Sequence, residues 1–143
     1  MKISDVIGHK QVKDVVTIAP GATVRELLAL LADHNIGAVV VSADGSSVEG
    51  IVSERDVVRR LNGHDEVLGS PVSDIMTRDV HTAASTDPLD HVRSVMTERR
   101  FRHVPVVDDG RLVGIVSIGD VVKAHIDQVE FERDQLDHYV RQT

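Results

Sequence analysis

Gly50-Ile51-Val52-Ser53-Glu54-Arg55-Asp56-Val57-Val58 returns about 64 residues later as Gly114-Ile115-Val116-Ser117-Ile118-Gly119-Asp120-Val121-Val122. Each copy is a short apolar run leading into a Ser, an Asp three residues on, and a fresh apolar run. That order reads as a strand ending at the Ser and a helix beginning there. Such a junction presents backbone N–H groups at its mouth, where nucleotides and other anions sit readily. In a chain of 143 residues, a repeat of this period means that two copies of one unit fill almost everything.

Working outward, each copy predicts the order strand, helix, strand, turn, strand, helix. In the first, Val15 to Ile18 reads as a brief strand stopped by Pro20-Gly21. Thr23 with Glu26 forms a capping box for a helix whose apolar positions are Val24, Leu27, Leu28 and Leu31. Asn35 and Gly37 supply its stop. Ala38 to Val41 and Val48 to Val52 are strands, and Ser53 to Leu61 is the next helix. Ile3, Val6 and Ile7 form a short apolar element ahead of this unit, followed by a polar turn.

The second copy answers in register. Val72-Ser73-Asp74-Ile75-Met76 matches Ile3-Ser4-Asp5-Val6-Ile7, and Asp79-Val80-His81-Thr82 matches Asp14-Val15-Val16-Thr17. Pro88 stands in the first turn of a helix with Leu89, Val92, Val95 and Met96 on one face. Val104 to Val107 and Leu112 to Val116 are strands joined by Asp108-Asp109-Gly110, a hairpin signal. The organisation expected is a first unit at 1–62, a linker at 63–71, a second unit at 72–125 and a separate C-terminal helix at 126–143. Ile126, Val129, Arg133, Leu136 and Val140 trace a stripe along that last helix.

Composition narrows the function. Apolar residues make up 41% of the chain, enough for a core, and there is no cysteine, so disulfides and cysteine-held metals are out. The eight His form no ligand-spaced cluster, and no metal is expected. Net charge is −7, which argues against general nucleic-acid binding but leaves room for an anion in a local basic pocket. Met1-Lys2-Ile3-Ser4-Asp5 is no secretory leader and no run has membrane-spanning length, so a cytoplasmic protein with no membrane partner is expected.

Ser53 with Asp56, and Ser117 with Asp120, can be read in two ways. Ser-x-x-Asp is a helix cap. In the same geometry, the carboxylate could accept from ribose hydroxyls while the Ser faces phosphate. Spacing alone does not decide between cap and ligand site.

These residues carry a resemblance. Gly-Ile-Val-Ser-x-x-Asp in both units, Ser73-Asp74-Ile75-Met76-Thr77, and Arg102-His103-Val104-Pro105-Val106-Val107-Asp108 resemble the CBS domain, named after cystathionine β-synthase. Two such units form a Bateman module, and the resemblance covers roughly residues 3–61 and 72–125. It implies an α/β fold of tandem β-α-β-β-α units packed through their sheets about a pseudo-twofold axis, as in stand-alone bacterial pairs. It also implies two clefts for adenosine ligands: AMP foremost, then ADP, ATP, NAD(H) or S-adenosylmethionine.

Carried across by position, Asp56 and Asp120 would hold ribose, with Ser53 and Ser117 beside ribose and phosphate. Thr17 and Thr82 would line the clefts, and Ile36, Gly37, Ala38 and Val39 would edge the adenine pocket. Arg102 and His103 fall where basic residues meet phosphate. Their first-unit counterparts are the uncharged Gly37 and Ala38, and Arg55 is answered by Gly119. The clefts are therefore expected to differ, one binding nucleotide strongly. The expected role is a non-catalytic regulatory module that signals by shape to a separate effector protein, with homodimerisation as the family's habit. A dimerising scaffold without ligand is the alternative; a weak nucleotide hydrolase is a further one, though nothing beside the Asp residues completes a reaction constellation.

Overall fold

A computed structural model describes residues 1–8 and 15–141. The polar turn expected after Ile7 falls largely outside these residues. The elements are α1 (Ile3–Gly8), β1 (Thr17–Ile18), α2 (Val24–His34), β2 (Ala38–Val41), β3 (Gly50–Ser53), α3 (Glu54–Leu61), α4 (Leu89–Arg99), β4 (His103–Asp108), β5 (Arg111–Ser117) and α5 (Ile118–Arg141), with 3-10 turns at Asp65–Gly69 and Val72–Asp74. The fold is α/β, two repeats followed by a C-terminal helical extension. Among the described residues no helix is long and apolar enough to cross a membrane.

Local chemistry explains most boundaries. Thr23 and Glu26 form the expected capping box at α2, and Asn35 closes that helix in the left-handed region at φ 52°. The hairpin between β4 and β5 turns on Asp109 (φ 52°) and Gly110 (φ 75°), both left-handed as a tight hairpin turn requires. Pro88 is the N-cap residue of α4 rather than a member of its first turn.

β1 pairs parallel with β2 (Thr17 with Val40, Ile18 with Val41), and β2 pairs antiparallel with β3. Two expected strands are shorter than their sequence. Val15 and Val16 lie outside β1, and Val48 and Glu49 outside β3. In the second unit the opening strand shrinks to one bridge, Ala83 with Val106. Pro105 supplies the reason. Ala83 N–H donates to the Pro105 carbonyl, and Val107 N–H to that of Ala83. Proline has no N–H with which to extend the ladder back toward Thr82.

The two cores exchange their leading segments. Ile3 and Val6 of α1 are buried with Leu89, Val92, Met96, Val104, Val106 and Val116, in the core of the second unit. Val72 and Ile75 are buried with Val24, Leu27, Leu31, Val39 and Val52, in that of the first. Backbone bonds fix both exchanges. Ile3 N–H donates to Asp87 and Leu89 N–H to Met1, while Val72 N–H donates to Ala22 and Val24 N–H to Ser70. The segments 1–8 and 72–77 thus sit on the opposite unit from the one they precede. This is the structural content of the pseudo-twofold.

The expected break at residue 125 is absent. α5 runs without interruption from Ile118 to Arg141, so the second unit's last helix and the C-terminal helix are one element.

Candidate functional site

Both Ser-x-x-Asp sites close into capping boxes. Ser53 N–H donates to Asp56 Oδ2 at 2.8 Å, and Asp56 N–H donates to Ser53 Oγ at 3.4 Å. Ser53 Oγ also donates to Asp56 Oδ2 at 3.1 Å. In the second unit the Ser117 N–H reaches Asp120 Oδ2 at 3.0 Å, and Asp120 N–H reaches Ser117 Oγ at 3.1 Å. The first helical N–H in each case goes to the residue just before the other strand of its hairpin: Glu54 to the Gly37 carbonyl and Ile118 to that of Arg102.

These bonds take up three backbone N–H groups at each junction. The open cradle expected of a helix N-terminus is therefore largely closed, and an anion must find side chains instead. Asp56, which borders the first cleft, accepts both bonds from Ser53 on Oδ2, which leaves Oδ1 as a spare acceptor.

Two clefts flank these junctions. The first, of about 380 Å³, is bordered by Ser53, Arg55, Asp56 and Arg59 from the first unit and by Thr77, His81, Arg99, Arg100, Phe101 and Arg102 from the second. The second, of about 650 Å³, is bordered by Val15, Val16 and Ile36 of the first unit and by Val113, Ile115, Ser117 and Asp120 of the second, with Ile7 of the exchanged leading segment beside them. Both volumes suit a small ligand. Gly37, Ala38 and His103 border both clefts, because the starts of β2 and β4 meet between them.

Among the described residues the clefts differ in charge. Arg55, Arg59, Arg99, Arg100 and Arg102 line the first, against Glu54, Asp56 and Asp79. Described residues of the second offer His34 and His103 with Asp120 among mostly apolar neighbours. Arg102 and Arg55, singled out in the sequence for lacking counterparts, thus stand in one cleft, that of Asp56. A phosphate probe of Arg102 therefore belongs with Asp56 rather than Asp120.

Not every expected residue borders a cleft. Thr17 and Thr82 line neither; Val15 and Val16, and Val80 and His81, do so instead. Val39 is fully buried in the first core. Ile36 lines only the Asp120 cleft.

Sequence reading passed over Arg59, Arg99, Arg100 and the stacked pair His81–Phe101, whose rings lie 5.9 Å apart. One signal was available. Arg100 answers Asn35 as the left-handed cap of its helix, with φ 58°, a conformation that a long side chain adopts at a cost.

The sequence profile described as CBS domain matches residues 3–63 and 72–127. A CBS-domain-containing protein from Agrobacterium tumefaciens has a similar structure (TM-score 0.81, 41% identity), the match covering 87% of this chain and 99% of that one. The CBS domain pair of protein MJ0100, solved in complex with 5′-methylthioadenosine and S-adenosyl-L-methionine, superposes with TM-score 0.77 at 27% identity, covering 90% and 98% of the two chains. A CBS domain protein from Pyrobaculum aerophilum, solved in complex with AMP, gives 0.74 at 30% identity over 84% and 89%. With both repeats matched and the fold shared along most of its length, the chain belongs to the CBS-domain family as a tandem pair.

Proposed function

We propose that this chain is a regulatory, non-catalytic module that binds an adenosine phosphate in the Asp56 cleft. The observation that carries the reading is the gathering of Arg55 and Arg102 beside Asp56 in one cleft. A carboxylate with an acceptor to spare suits a ribose diol, and guanidinium groups suit phosphate, bidentately and with charge assistance. The AMP complex of the Pyrobaculum aerophilum relative supports AMP as the first ligand to try. The methylthioadenosine and S-adenosylmethionine of the MJ0100 pair support the Asp120 cleft as a site for an adenosine with less negative charge. ADP, ATP and NAD(H) compete for the same chemistry.

Each cleft is bordered by both repeats, so an occupant bridges them and favours one arrangement of the pair. A separate effector or a second copy reads that arrangement. The shift is limited by the ligand's differential affinity for the two arrangements.

Isothermal titration calorimetry of ligand-free protein against AMP, ATP, NADH and S-adenosylmethionine tests the reading. Saturable binding of a phosphorylated adenosine, lost in Arg102→Ala, is expected. No heat and no melting shift with any of the four would leave a scaffold.

A further inference from the structure

Seven of the ten large apolar side chains that stand exposed among the described residues lie on α5. Apolar surface gathered in this way marks a place that another molecule covers. Val122, Ile126, Val129, Arg133 and Leu136 follow one another at spacings of four, three, four and three residues. That alternation is the narrow seam of a coiled-coil helix, not the broad stripe of a helix lying on a globular body. Val121 and Ala124 tie the start of α5 to the second core, and from Val129 onward every described residue is exposed. The Ser117–Asp120 cap nucleates the first turn, so the seam is presented without a separate folding step.

The shoulders of the seam decide what can cover it. At about 100° per residue, Glu130 and Asp137 flank it on one side and Glu132 on the other, with Asp127 and Asp134 just behind. Arg133 stands in the seam itself and holds Asp134 at an exposed 3.5 Å. A second copy of the helix suits this arrangement in neither direction. A parallel pair opposes Glu132 to Asp137 and stacks Arg133 on Arg133. An antiparallel pair opposes Glu130 to Glu130 and Glu132 to Glu132. Like charges meet either way. We propose that the seam docks one amphipathic helix of a different protein, with Lys or Arg on both shoulders of its apolar stripe and a carboxylate facing Arg133. Its basic shoulders pair with Glu130, Glu132 and Asp137. The single cation inside the seam fixes the register, because a helix that slips along it leaves Arg133 against apolar side chains. This rests on the proposed function only in calling that protein the effector; the docking itself needs no nucleotide.

The test uses the ligand-free full chain and a dye-labelled synthetic peptide of about three heptads, with Leu along the stripe, Lys on both shoulders and one Glu placed to meet Arg133. A twin peptide carries Glu on both shoulders. By fluorescence anisotropy the Lys peptide should bind with a dissociation constant at least about 10-fold below that of its twin. The triple variant Glu130→Lys, Glu132→Lys, Asp137→Lys should reverse the preference. Leu136→Glu should weaken the Lys peptide about 10-fold or more. Its added negative charge would strengthen any unspecific attraction of lysines to this acidic chain, so the loss reports the seam. Phe131→Ala, on the far side of the helix, should leave binding unchanged. All five positions are exposed, so the melting of the two repeats should hold in every variant. Equal binding of the twins, binding that survives Leu136→Glu, or no binding of either peptide overturns the proposal. So does sedimentation velocity in which the native protein forms an oligomer that Leu136→Glu dissolves, because the seam then belongs to a second copy.

Discussion

Met76 lies directly over Gly50: a Cβ built on Gly50 would stand 2.6 Å from Met76 Sδ and 2.8 Å from the Thr77 carbonyl oxygen. The pseudo-twofold repeats the relationship more loosely, with a Cβ on Gly114 falling 3.2 Å from Ile7 Cδ1. Each glycine is where the exchanged leading segment crosses the hairpin of the other unit. The closeness of that crossing explains why both copies of the motif begin with Gly.

Gly50→Ala should therefore cost about 1–3 kcal/mol, the range for overpacking a close contact. The Met76 side chain can move, but the Thr77 carbonyl is fixed by Ile51 N–H at 3.0 Å. Gly114→Ala meets only the Ile7 side chain, at 3.2 Å from Cδ1 and 3.3 Å from Cγ2, which need give by only a few tenths of an ångström, and should cost less than about 1 kcal/mol. Urea denaturation of both variants checks the difference; equal losses would refute the asymmetry.

Much of this was legible in the sequence because it is local or repeated. The Thr23–Glu26 box, the Asp109-Gly110 turn and the two Ser-x-x-Asp caps each lie within a few residues. The exchange of leading segments was not legible. Ile3, Val6 and Ile7 announce a face to be buried, but their spacing is the same whichever core receives them. Arg102 could be picked out as unmatched, whereas its placement opposite Asp56 follows from how the repeats dock. Pro105 could have shortened the second opening strand in advance, had its partner strand been considered beside it.

Cap and ligand roles of Asp56 can be separated by chemistry. Asp56→Asn keeps an amide oxygen to accept from Ser53 N–H, yet offers a neutral and weaker acceptor to ribose. Nucleotide affinity should fall by about 1.5–3 kcal/mol, the range for hydrogen bonds to a charged group, with melting lowered little. Asp56→Ala should lower both, adding about 1 kcal/mol of lost cap. If Asp56→Asn binds AMP normally, the carboxylate is a cap alone.

Acid should loosen two turns. Asp44 is held well below the usual carboxylate range, chiefly by the N–H groups of Ser47 and Ser46 and then by the hydroxyls of Ser47 and Ser42. Asp108 is lowered by the Ser85 hydroxyl and then by the Ser85 N–H. A depressed folded value contributes stability above the unfolded value of about 3.9. That contribution disappears as pH falls through the folded value. Asp44→Asn and Asp108→Asn should each flatten the loss of melting temperature below about pH 4.

Arg100 sets stability against binding. Its left-handed φ of 58° carries a strain of order 1 kcal/mol that glycine would not feel. Asn35, its counterpart in the first unit, tolerates the same conformation more easily. Placing an arginine there puts a guanidinium at the edge of the Asp56 cleft beside Arg99 and Arg102. Arg100→Gly should hold or raise the melting temperature while weakening AMP by about 3- to 10-fold, and adenosine should bind unchanged, because the lost contact is with phosphate. Added salt should narrow the gap between native protein and variant, since an exposed guanidinium is screened. A variant that loses adenosine and AMP alike would place Arg100 in the shape of the cleft and not in its charge.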